Sequence, residues 1–191
     1  MTSRVLIAGA LVGLMLCGGA GCKSRPKTPP VATAPNSVDV TRLLDQTKLP
    51  DLKGATKPLA EYLGAKGLVM VFVDTTCPFS STALKDMPGV VKSLGAVGVA
   101  SVVINNDDAR EAAEKFYAAT DAGTTVIYDV TADTRRAWDV KSVPTVLYVT
   151  ADKKLAYHGP AVWKDLTASI EKAQSLGAGS VPVEAEGTGF G

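Results

Sequence analysis

The chain has 191 residues, with 20 Lys and Arg against 19 Asp and Glu, a net charge of +1 and a single His. That length holds one domain of ordinary size plus extensions. Acids and bases are scattered along it, so no basic face for nucleic acid is visible. The chain opens with Met1-Thr2-Ser3-Arg4, a short basic start, and continues into an apolar stretch from Val5 to Leu16. This stretch is too short to span a bilayer comfortably and suits the core of a secretory signal. A buried first helix fits poorly, because Gly9, Gly13, Gly18, Gly19 and Gly21 all weaken helix packing.

Ala20-Gly21 directly before Cys22 resembles a bacterial lipobox, whose cysteine is lipidated and becomes the new N-terminus. Cys17 fits less well because bulky Leu16 precedes it, and Gly19 stands where the lipobox usually has an aliphatic residue. Lipidation of Cys22 is one expectation and ordinary signal cleavage the other. Residues 1–21 are then the signal, and residues 22–37, rich in Pro, Ser, Thr and Ala, a disordered tether. The folded domain runs over 38–176, and the Gly-rich segment 177–191 reads as a disordered tail. With Cys17 removed and Cys22 lipidated, Cys77 is the one free thiol of the mature chain. A leftover cysteine in an exported protein points to a reactive thiol or an intermolecular partner.

Within the domain, Val38 to Leu44 fits either a short helix or a strand. Leu49 to Gly54 is extended with a turn, and Leu59 to Leu63 is a helical turn closed by Gly64. Leu68 to Val73 is apolar on both faces, as a central parallel strand should be. A helix follows over about Ser80 to Leu94, and Pro88 predicts a kink or break in it. Val99 to Asn105 is a second buried strand. Asp107 or Asp108 is placed to cap the next helix, whose inner face carries Ala112, Ala113, Phe116 and Tyr117. Thr125 to Asp129 is a strand and Thr131 to Trp138 a short helix. Thr145–Thr150 and Lys154–His158 form a hairpin, and a last helix over 162–176 turns Trp163, Leu166, Ile170 and Ala173 inward. Strands alternating with helices, then a hairpin and a helix, give an α/β sandwich with a central mixed β-sheet flanked by helices.

Two elements carry chemistry. Cys77-Pro78-Phe79-Ser80 follows the buried strand and opens a helix, where backbone N–H groups and the helix dipole favour a thiolate. Ser142-Val143-Pro144-Thr145 stands immediately before the hairpin. With the preceding Leu49–Gly54, Leu59–Tyr62 and Leu68–Val73 segments, the order resembles the thioredoxin superfamily, in its exported TlpA/ResA-like thiol–disulfide oxidoreductase branch. The resemblance covers about residues 47–175. It implies a thioredoxin-like fold, with Pro144 cis and its loop against the nucleophile Cys77. It also implies that Val143 and Pro144, with Pro78 and Phe79, bind the substrate polypeptide. Partners would be protein thiols and disulfides or a small-molecule thiol, and the role one in cell redox homeostasis.

The departures from that pattern define the problem. Ser80 stands where the resolving cysteine would be, and Thr76 where a tryptophan usually precedes the nucleophile. Ser80 is placed to hydrogen-bond a Cys77 thiolate, or to serve as an ordinary serine at a helix start. Without a second thiol, Cys77 needs an external one to complete thiol–disulfide exchange. Two alternatives stay open: a non-enzymatic thioredoxin-like binding module, and a one-cysteine thiol peroxidase working through a sulfenic acid. Against the latter, the peroxiredoxin pattern places Pro and Thr at positions held here by Met70 and Asp74. Asp74 is placed near the thiol, to raise its pKa if buried close by or to shuttle protons. No metal or cofactor is expected, since Cys77 and the single His158 are too few for a metal site. The location implied is the bacterial cell envelope, with the domain on the extracytoplasmic side of a membrane that holds the lipid.

Overall fold

The computed structural model describes residues 38–106, 109–176 and 183–184. The signal over 1–21, the tether with Cys22, the Asp107–Asp108 pair and most of the 177–191 tail lie outside the described residues.

Strand β3 (Gly67–Val73) is buried along its whole length and lies inside a six-stranded sheet whose order is Thr125–Asp129 (β5), Val99–Asn106 (β4), β3, Thr145–Thr150 (β6), Leu155–Pro160 (β7) and Val183–Glu184 (β8). It runs parallel to β4 (Val99–Asn106), which is parallel to β5 (Thr125–Asp129). On its other side it pairs antiparallel with β6 (Thr145–Thr150), which turns back into β7 (Leu155–Pro160). Gly67 opens β3 at φ +136°, and a Cβ there would lie 2.3 Å from the Val149 carbonyl oxygen. Only glycine starts this strand without displacing its neighbour.

Alternate residues of β3 feed two cores, as the two-residue period of a strand requires. Val69, Val71 and Val73 pack with Leu84 and Met87 of helix α2 (Pro78–Ala96) and Leu166, Ile170 and Ala173 of α5 (Trp163–Leu176). Leu68, Met70 and Phe72 point the other way, onto Leu44, Leu59 and Trp138. Each of these fully buried large side chains stabilises the fold by about 1.5–3 kcal/mol relative to exposure.

Several sequence expectations are settled here. The undecided first segment is a helix, α1 (Val40–Gln46): Asp39 caps it by accepting the Arg42 N–H at 3.0 Å, and Val40 and Leu44 bury one face. Lys48–Pro50 (β1) and Thr56–Pro58 (β2) form a separate two-stranded ribbon, followed by a 3-10 turn over Leu59–Tyr62. Helix α2 runs unbroken through Pro88, so of the expected kink or break the break does not occur. Its proline packs on Gly123 (φ +66°), where a Cβ would meet Pro88 Cα at 2.8 Å. That close contact, with Leu84 buried one turn earlier and Met87 buried immediately before it, holds the helix together around the missing hydrogen bond.

Helix α3 (Arg110–Ala119) buries Ala113 and half-buries Phe116 and Tyr117, whereas Ala112 faces solvent, contrary to expectation. A short helix α4 (Asp133–Ala137) precedes the buried Trp138. Inside the segment read as a tail, Val183–Glu184 forms a short strand, β8, parallel to β7. Among the described residues, no helix is long and apolar enough to cross a membrane.

Candidate active site

The antiparallel pairing of β3 with β6 sets Phe72 opposite Thr145. The segment after the one strand and the segment before the other therefore lie at the same end of the sheet. Cys77 follows β3 as the N-cap of α2, with Pro78 in the first turn, where proline's fixed φ and missing N–H cost nothing. Val143–Pro144 precedes β6, and its peptide bond is cis. The two meet: Cys77 Sγ donates to the Val143 carbonyl oxygen at 3.6 Å. Cys77 is a free, half-buried thiol. It sits at the N-terminus of a 19-residue helix.

The turn that presents the thiol is organised by Asp74. Its carboxylate accepts the Thr76 N–H and the Thr76 hydroxyl, both at 2.6 Å. Its carbonyl accepts the Cys77 N–H at 3.3 Å, and its own N–H donates to Ser80 Oγ at 3.3 Å. This is the aspartate turn in which a short side chain stands in for backbone. Asp74 thereby serves as a scaffold, and its carboxylate is engaged within the turn. Ser80 is fully buried, and its hydroxyl oxygen faces Asp74, with no bond to Cys77 among the described residues. Thr76, in the place of the usual tryptophan, locks the same turn.

Pro78 is exposed and Phe79 is 74% exposed, a large apolar ring left in solvent beside the thiol. Val143 and Pro144, on the loop that meets Cys77, are half-buried. Two open grooves of about 540 and 450 Å³ lie elsewhere, one along Leu52, Tyr117 and Thr125, the other along Arg135, Arg136 and Lys141, and neither is lined by Cys77. His158 lies on β7, opposite Leu147 in the ladder, away from the strand that leads to Cys77. Among the described residues, no group of three or more His, Cys, Asp or Glu side chains could hold a metal ion.

Residues that sequence reading did not single out complete the surroundings. Asp129, 2% exposed, accepts the Asn106 amide at 3.2 Å, the Thr134 N–H at 2.9 Å and the Thr131 hydroxyl at 3.1 Å. It ties the ends of β4 and β5 to α4, the helix that leads into the Val143–Pro144 loop. Arg135 on α4 donates to the Val140 and Lys141 carbonyls at 3.2 and 2.9 Å. An arginine in a charged helix looks like a solvated residue in sequence, and only the loop's path past it reveals the contact.

Comparison with known proteins agrees with this fold. None of the curated proteins matches the chain. Among solved structures, it is similar to DsbF of Mycobacterium tuberculosis, in mixed oxidised and reduced forms, with 19% identity and a TM-score of 0.60 over 68% of this chain and 96% of that one. It is also similar to a secreted M. tuberculosis disulfide oxidoreductase homologous to E. coli DsbE, with 19% identity and a TM-score of 0.56 over 69% of this chain and 98% of that one. A third likeness is to the exposed lipoprotein thioredoxin Etrx1 of Streptococcus pneumoniae, with 18% identity and a TM-score of 0.58 over 66% and 98%. The shared fold is thioredoxin-like, a mixed sheet flanked by helices. The AhpC/TSA family profile matches residues 40–158, and with more than half of its length matched the chain belongs to the AhpC/TSA family.

Proposed function

We propose that this is an exported thioredoxin-like protein that carries out thiol–disulfide exchange through Cys77 alone, with an external thiol completing each cycle. The observation that carries the reading is the Cys77 thiol lying 3.6 Å from the Val143 carbonyl at the cis-Pro144 loop, at a helix N-terminus, beside the exposed ring of Phe79. The Cys77 thiolate attacks one sulfur of a client disulfide. A Cys77–client S–S bond forms, the client's own S–S bond breaks, and its second sulfur leaves as a thiolate. A second thiolate, from a protein or a small molecule, attacks the client sulfur of the mixed bond and expels Cys77 as thiolate. One disulfide enters and one leaves, so no net oxidant is needed. Ser80 has no thiol to offer, and Val143, Pro144, Pro78 and Phe79 form the surface on which the client lies.

The test is incubation with a cystine-containing peptide, followed by intact-mass measurement without reductant. The wild type acquires the peptide's mass and Cys77→Ser does not. A wild type that acquires no adduct overturns the reading and leaves a docking module without turnover. The envelope assignment rests on the Val5–Leu16 apolar stretch and Ala20-Gly21-Cys22, with support from the secreted and lipoprotein character of the solved relatives. Fatty-acid labelling of the expressed full chain tests it: wild type incorporates label and Cys22→Ser does not, whereas an unlabelled wild type removes the anchor.

A further inference from the structure

The loop that faces the thiol has an unusual source of order. From Val140 to Val143 each backbone carbonyl is paired with a side-chain donor. Arg135 Nε donates to Val140 O at 3.2 Å and Arg135 Nη2 to Lys141 O at 2.9 Å. Thr145 Oγ1 donates to Ser142 O at 2.7 Å, and Cys77 Sγ to Val143 O at 3.6 Å. The Val140 N–H returns to the Arg135 carbonyl at 3.0 Å, so Arg135 grips this segment with main chain and side chain together. Asp139, just before it, sits at φ +55°, a left-handed conformation that a residue other than glycine keeps only with support from its surroundings. The Arg135 clamp on the next two peptides is that support.

A guanidinium is suited to the task, because its planar fork fixes two donors at once, whereas a lysine offers a single mobile charge. Thr145 is buried and Arg135 half-buried; the Arg135 bond to Val140 O is partly buried and its bond to Lys141 O lies at the surface. The result is a rigid run of peptides whose last carbonyl touches the nucleophile.

We infer that Arg135, together with Thr145, is a positioning residue: it fixes the Val143 backbone at the distance from Cys77 that a polypeptide client needs in order to react. The inference rests on the thiol-exchange reading above. A polypeptide reaching Sγ must lie along the Val143 backbone, since that carbonyl is in contact with the sulfur. A small disulfide needs only the exposed side of the sulfur. Loosening the loop therefore slows reaction with a polypeptide and spares reaction with a small molecule.

The experiment compares two neutral disulfides on the intact domain: bis(2-hydroxyethyl) disulfide and an uncharged cystine-containing peptide. Arg135→Lys, which keeps the charge and loses the fork, reacts with the small disulfide within about twofold of wild type and with the peptide about tenfold more slowly. Thr145→Val gives the same split, and Thr145→Ser restores the peptide rate by returning the hydroxyl. The Thr145 pair decides the matter if Arg135→Lys proves poorly folded on melting. Equal slowing with both disulfides, or no slowing with either, overturns the positioning role and leaves thiol exchange standing. A wild type inert to both disulfides removes thiol exchange and the positioning role with it.

Discussion

Cys77 and Val143 are 66 positions apart in the chain, yet thiol and carbonyl meet at 3.6 Å. In that contact the sulfur is the donor, so it exists only while the thiol keeps its proton. Ionisation or formation of an S–S bond removes the donor and leaves the Val143 oxygen without its partner. A backbone acceptor in that position seeks another N–H, and an extended client segment carries one at every peptide. On the proposed thiol-exchange reading, reaction at the sulfur and capture of the client backbone are coupled through a single oxygen.

Restoring the second thiol should change the lifetime of the mixed disulfide. Ser80→Cys creates Cys-Pro-Phe-Cys on the first turn of α2, with the new sulfur in the buried site of the Ser80 hydroxyl. The expected outcome is loss of 2 Da on mild oxidation and peptide adducts that no longer accumulate, both read by intact mass. The variant also replaces a good acceptor for the Asp74 N–H by a weak one, at a cost of about 1 kcal/mol. Stable adducts in Ser80→Cys would mean that the turn cannot bring the two sulfurs together.

The buried Asp129 carboxylate is expected to contribute strongly to stability. Asp129→Ala leaves the Thr134 N–H and the Asn106 amide buried without their acceptor and costs roughly 2–5 kcal/mol in urea denaturation. Asp129→Asn keeps one acceptor oxygen and costs less. A loss below about 1 kcal/mol for the alanine variant would show that water replaces the carboxylate.

Gly123 is expected to tolerate no side chain. At φ +66°, with Pro88 Cα 2.8 Å from the site of a Cβ, Gly123→Ala both strains the backbone and pushes on α2. The expected loss is about 1–3 kcal/mol, with faster hydrogen exchange in the turn around Pro88. Unchanged exchange there would place the strain elsewhere.

Alkaline pH should weaken the fold through buried tyrosines. Burial pushes the Tyr157 hydroxyl up to about 12 from its ordinary value of 10.0, aided by the nearby Asp165; its O–H donates to the Pro160 carbonyl at 2.9 Å. Tyr62 and Tyr148 move the same way, chiefly through burial. A hydroxyl harder to ionise in the folded chain than in the unfolded one leaves stability intact below pH 10.0 and removes it as pH rises toward about 12. The urea midpoint of Tyr157→Phe is expected to fall less steeply over that window than that of wild type. Parallel curves would argue that Tyr157 ionises alike in both states.

The frame of the molecule was legible because its signals are local. The apolar runs ending at Val73, before Asn105 and before Asp129, and the hairpin after Pro144 specify strands whatever surrounds them. The facing of Cys77 and the Val143–Pro144 loop was legible too, through segment order and the resemblance it carries. Contacts between distant parts were not. The passage of α2 through Pro88 depends on a bare Cα at Gly123, 35 positions later. The role of Asp74 depends on Thr76 and Ser80 folding back on it. The role of Arg135 depends on a loop that curls around its side chain. Each is a polar or steric fit made by tertiary geometry, and residue type alone does not encode it.

The ladder between β3 and β6 acts as a ruler for the chemistry. Phe72 lies level with Thr145, and the sulfur and the oxygen stand short, fixed chain lengths beyond that rung. A slip of two residues would keep every side chain on its proper face and still carry Val143 about 6.6 Å along the strand, out of reach of the sulfur. Substitutions deep in the sheet, far from any solvent or client, can therefore silence the thiol by miscounting rungs, while leaving a chain that is folded, packed and chemically complete.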